Sequence, residues 1–90
     1  MPRYLVERTF ADQLGLPGPD ADVSARQSFI ANNALDDVTW VHSYVAPDRK
    51  KSYCIYDAPS PEAVRRAAGR NGLPVDRITE VQEIDPYPYL

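Results

Sequence analysis

Residues 38 to 45, VTWVHSYV, alternate strictly. Val38, Trp40, His42 and Tyr44 share one face of a predicted strand, and Thr39, Val41, Ser43 and Val45 the other. The same period of two marks Arg3 to Phe10, where Leu5, Glu7 and Thr9 oppose Tyr4, Val6, Arg8 and Phe10. It recurs in SYCIYDA, residues 52 to 58, and in Arg77 to Ile84, where Ile78 and Glu80 oppose Thr79, Val81 and Glu83. Between the second and third strands lies APDRKK. Its Pro47-Asp48 sets a bend and its cations face water, so these two strands should form a hairpin.

Helical spacing appears twice. From Val23 to about Leu35, Val23, Gln27, Ile30 and Ala34 fall on one stripe with Phe29 beside it. The Gly- and Pro-rich run ADQLGLPGPDAD precedes this helix and ends in aspartates suited to capping it. The second helix is signalled throughout SPEAVRRAAGRNG. Ser60 is an N-cap, Pro61 stands at the first helical position, and Glu62 faces the positive helix end. Val64, Ala67 and Ala68 point inward, Arg65 and Arg66 outward, and Asn71-Gly72 supplies a left-handed stop. The prolines of DPYPYL exclude regular structure from the tail, residues 85 to 90.

The order is therefore β-α-β-β-α-β over residues 1 to 90. With right-handed crossovers it gives an α+β, ferredoxin-like sandwich: a four-stranded antiparallel sheet with both helices on one face. Val41, Val45 and Ile55 suit the helix side. Trp40, His42, Tyr44, Cys54 and Tyr56 then lie on the open face, which carries too much aromatic area for water. A homodimer packed sheet to sheet would cover it. The face assignment rests on strand parity, and a bulge would invert it.

Composition narrows the function classes. A 90-residue chain buries only about 60% of its unfolded surface, a thin core that association commonly supplements. Ten basic and thirteen acidic residues give a net charge of −3, which argues against nucleic acid or an anionic membrane as partner. No segment approaches a transmembrane length. Cys54 is the single cysteine and the chain opens on a strand-like run, so a reducing, cytoplasmic location is expected.

His42 and Cys54 are the strongest transition-metal ligand types, and each occurs once. The hairpin brings their strands together, and Glu7 on the first strand can add an oxygen. Histidine nitrogen with carboxylate oxygen suits Ni²⁺, Co²⁺ or Zn²⁺. A hydrogen-bonded interior histidine and a buried small thiol satisfy the same pattern, and residue types alone favour that blander reading. Neither a catalytic third group beside Cys54 and His42 nor a Gly-rich nucleotide loop is evident.

PRYLVERTF, WVHSYV, CIYDAP and NGLPVDRI, spread over nearly the whole chain, resemble a family of small bacterial proteins long classed as a domain of unknown function (DUF4242-type). One branch of that family is described as nickel-binding. The resemblance implies a ferredoxin-like monomer paired into an α+β-barrel homodimer that holds Ni²⁺ octahedrally, for sequestration or metal tolerance and without catalysis. It carries the ligand expectation to His42 and Cys54, which stand inside matched blocks. Glu7 joins them on physical grounds, with Trp40, Tyr44 and Tyr56 as the surrounding wall. Two other readings remain. One is a small dimeric barrel enzyme, an oxygenase or isomerase, holding an organic substrate between the sheets with His42 as base. The other is a plain dimeric partner domain.

Overall fold

The computed structural model describes residues 1–11 and 23–89, with residues 23–26 described at the backbone only. The expected capping aspartates Asp20 and Asp22 lie outside the described residues. The elements follow the predicted order: β1 (Arg3–Thr9), α1 (Val23–Ala34), β2 (Thr39–Val45), β3 (Lys51–Asp57), α2 (Pro61–Asn71) and β4 (Arg77–Val81). The sheet order is β2-β3-β1-β4 with every neighbouring pair antiparallel. β1 and β2 both oppose β3, so they run in the same direction and α1 returns the chain between them. β3 and β4 are related in the same way through α2. This is the ferredoxin-like arrangement.

α2 forms for the reasons its sequence gives. Ser60 is extended, with φ −162°, and its hydroxyl accepts from the Ala63 amide at 3.2 Å. Gly72 adopts φ 67°, and its amide donates back to the last turn, the left-handed stop a Cβ would strain. Ala63, Val64 and Ala67 are buried in one cluster with Tyr4 and Val6 of β1 and Cys54 and Tyr56 of β3, and Ala68 is buried as well. Small residues on the helix let it approach the sheet closely, and the larger side chains of the sheet fill the space between.

α1 departs from expectation. Ile30 is 60% exposed, Gln27 and Ala34 are also exposed, and the one buried residue among 27–34 is Asn33. The helix is rotated so that amides, not the aliphatic stripe, meet α2. Asn32 donates to the Asn71 side chain at 2.9 Å, and Asn71 donates to that of Asn33 at 3.0 Å. Below this contact Asp36 accepts from Arg66 and Arg70, each at 2.9 Å. Arg66, expected as plain outer surface, thus ties α2 to the turn after α1. These hydrogen bonds hold the Asp36 carboxyl below its ordinary value.

Smaller corrections concern the chain ends. β4 stops at Val81 rather than Ile84, and Tyr87–Tyr89 form one 3-10 turn where the prolines had suggested no regular structure. Its carbonyl-to-amide contact runs from Pro86 to Tyr89, which uses no proline N–H.

The candidate metal-binding face

The face of the sheet that each residue occupies depends on one irregularity. Trp40 pairs with Tyr56 and His42 with Ile55, so Val41 is an extra, unpaired residue in β2. A bulge of this kind puts two residues opposite one and inverts the alternation. On the helix side lie Trp40, Ser43 and Val45, in register with Tyr56, Cys54 and Ser52. Opposite, His42 and Tyr44 line up with Ile55 and Tyr53. Trp40 Nε1 donates to Ser43 Oγ at 2.8 Å, a side-chain bond that spans the bulge.

The expected single-face constellation is therefore divided. His42 and Tyr44 are on the open face as predicted. Cys54, Tyr56 and Trp40 are not: they point to the helices, with Cys54 fully buried and free. Ile55, expected beneath the helices, is on the open face, and so is Tyr53. The wall expected around the metal thereby loses Trp40 and Tyr56. Glu7 does occupy the open face of β1, opposite Tyr53. It is separated from β2 by the whole width of β3, about 10 Å for two strand spacings. Among the described residues no three His, Cys, Asp or Glu side chains converge as a ready metal site.

The open face instead groups His42 with different partners. A hollow of about 320 Å³ is lined by Leu5, His42, Tyr44, Ile55, Val81 and Glu83, with Arg3 and Gln82 at its margin. The His42 and Tyr44 rings meet edge to face, 5.3 Å apart at 82°. Tyr44 is 65% exposed, an unusual state for a ring on a sheet surface flanked by aliphatic side chains. At the rim Arg3 grips Asp57 through two hydrogen bonds of 2.8 and 3.2 Å, which lower the Asp57 pKa. Asp57 thus sits at the strand end. Arg3 also reaches Glu83 at 3.3 Å, a loose pair because the Glu83 side chain is 76% exposed. Such a carboxylate exchanges partners at little cost.

Glu83 did not figure among the sequence-level candidates. The signal for it was the parity of β4, which places Val81 and Glu83 together on one face beside Leu5. The donors along this hollow are an imidazole on β2 and, three strand spacings away past the end of β4, a carboxylate and an amide. They are nitrogen and oxygen groups of the kind that Ni²⁺ accepts, and none is sulfur, because the chain's only thiol is on the other side of the sheet.

The family of nickel responsive proteins described as SCO4226-like matches residues 4–81. The chain belongs to this family. The matched span runs from β1 to the end of β4, so it contains His42 but stops short of Gln82 and Glu83. The SCO4226-like fold is also seen in the crystal structure of SCO4226 from Streptomyces coelicolor A3(2). That structure shares 26% identity over 92% of this chain and 99% of its own, with a TM-score of 0.68. No curated protein matches the chain. Among the described residues no helix is long and apolar enough to cross a membrane.

Proposed function

We propose that this protein binds Ni²⁺ without catalysing a reaction, and that two copies complete the site by packing their open sheet faces together. The observation that carries the reading is the position of His42. The chain's one histidine stands exposed in a hollow with Glu83, on the sheet face the helices leave bare, in a chain of a nickel responsive family.

One protomer supplies too few donors for a six-coordinate ion. A two-fold axis through the hollow doubles every donor. It brings a second His42 and a second Glu83 opposite the first, and covers Tyr44, Leu5 and Ile55 as it does so. Imidazole and carboxylate with water then give the nitrogen–oxygen environment that suits Ni²⁺. His42 binds through an unprotonated ring nitrogen and Glu83 through oxygen after leaving Arg3. Cys54 has no part in this arrangement. Sequestration or tolerance is the physiological role that fits a non-catalytic binder. The lone free thiol fits a reducing cytoplasm.

Equilibrium dialysis of Ni²⁺ against wild type, His42→Ala and Cys54→Ala tests the proposal. Saturable binding by wild type and Cys54→Ala, lost in His42→Ala, is the expected result. Binding that survives His42→Ala, or no binding by the wild type, refutes it.

A further inference from the structure

Where α1 ends and β2 begins, helix and sheet do not close on one another. α1 is turned so that Asn32 and Asn33 meet Asn71 of α2, and this leaves Ile30 and Ala34 outside the core. A hollow of about 240 Å³ lies at the junction, lined by Ile30, Asn33, Ala34, Val38, Thr39 and Trp40. Close-packed interiors have few voids larger than one water, and this space equals the liquid volume of about eight. β2 is an outer strand of the sheet, so no further strand of the chain lies beyond it.

The walls are selective in their chemistry. Ile30, Ala34, Val38 and the Trp40 ring are apolar, and the indole N–H is already taken by Ser43 Oγ at 2.8 Å. Asn33 is only 3% exposed. Its Oδ1 accepts from Asn71 at 3.0 Å, while its Nδ2 donates to no described residue. Besides the Thr39 hydroxyl, that amide is the one polar side-chain group left for an occupant. None of the six lining side chains is charged. Asp36, three residues beyond Asn33, is held by Arg66 and Arg70. Water fills such a space poorly, since each molecule needs about two to four polar partners.

We propose that this hollow binds a small, neutral ring compound, largely apolar and carrying one hydrogen-bond acceptor. The uncharged lining calls for a neutral molecule, and the volume for about eight non-hydrogen atoms or fewer. Apolar walls with a single placed donor are the usual make-up of a small-molecule site. The aliphatic residues and the Trp40 ring would cover the ring of the ligand, and the Asn33 amide would donate to its acceptor. This site is separate from the metal-binding face, because Trp40 and His42 lie on opposite sides of the sheet, and it is tested without nickel.

The probe is cyclohexanone, titrated into the isotope-labelled full chain and followed by nuclear magnetic resonance. Trp40 is the chain's only tryptophan, so its indole signal is unambiguous, and the Asn33 side-chain amide is read beside it. Both resonances should shift saturably in the wild type. Ala34→Phe, which fills the hollow from an exposed helix position, should abolish the shift, and Ile30→Ser should weaken it. Ile30 is already 60% exposed, so Ile30→Ser keeps the test open if Ala34→Phe fails to fold. No saturable shift in the wild type, or an unchanged one in both variants, overturns the proposal. Resonances that move with protein concentration alone would give the hollow to a second copy and equally overturn it.

Discussion

Trp40 and His42 are two places apart in the chain and point to opposite faces of the sheet. The indole is half-buried against the core and bonded to Ser43, whereas the imidazole stands in the open hollow. Substitution at the two positions should therefore separate stability from binding. Trp40→Ala should destabilise by about 3 kcal/mol, since it removes a large ring packed on the core. His42→Ala should leave the denaturation midpoint nearly unchanged, as surface changes generally do. Urea titration of both variants checks this, and a large loss in His42→Ala would count against its exposed placement. A second prediction concerns Asp36. Its folded pKa is depressed by Arg66 and Arg70 relative to the ordinary 3.8. The stability it contributes is complete above that ordinary value and is lost as the pH falls through the lower, folded one. The stability gap between wild type and Asp36→Asn should thus be constant near neutrality and close on acidification below about pH 4. A gap that widens in acid would reverse the assigned sign.

At the scale of elements, α2 was legible in full because its signals are local. Ser60, Pro61, Val64, Ala67 and Gly72 each specify a position without reference to the rest of the fold. Ser60→Ala should accordingly cost about 1 kcal/mol in unfolding experiments, and a neutral outcome would mean that the cap is supplied by another group. The strand faces were less legible. VTWVHSYV alternates without interruption, and no glycine or proline marks the bulge at Val41. The only trace is the spacing of Trp40 and Ser43, which lets an indole bond to a hydroxyl three residues on once a residue is looped out. Choosing a face for Cys54 and Tyr56 also required knowing what β3 packs against, a long-range fact. In α1 the misplaced stripe has a related cause. Two amides facing Asn71 outcompeted Ile30 for the interior, which period counting on apolar residues does not register. Deleting Val41 offers a direct check on the bulge. With the extra residue gone, Trp40 and His42 become neighbours and keep their opposite faces in an unbroken ladder, so the midpoint in urea should change little. A large loss of stability would show that β2 does not hold these faces by that register.

At the scale of the molecule, the sheet separates two chemistries. The helix side holds the thiol, Trp40, Tyr56 and the buried Arg8. The other side holds His42, Tyr44 and Glu83 over a sparse aliphatic floor. The proposed dimer would supplement this thin core by burying that second side against another copy. Tyr44→Glu should therefore shift the protein to monomer in sedimentation equilibrium, and an unaltered mass would place the contact elsewhere. The central claim is narrower: Ni²⁺ is held on the open face by His42 and carboxylate oxygen, not beneath the helices by Cys54. X-ray absorption at the nickel edge on the loaded protein tests it most directly. The account predicts a first shell of nitrogen and oxygen alone, with the outer-shell signature of imidazole. A sulfur scatterer in that shell, or the absence of imidazole, would contradict it.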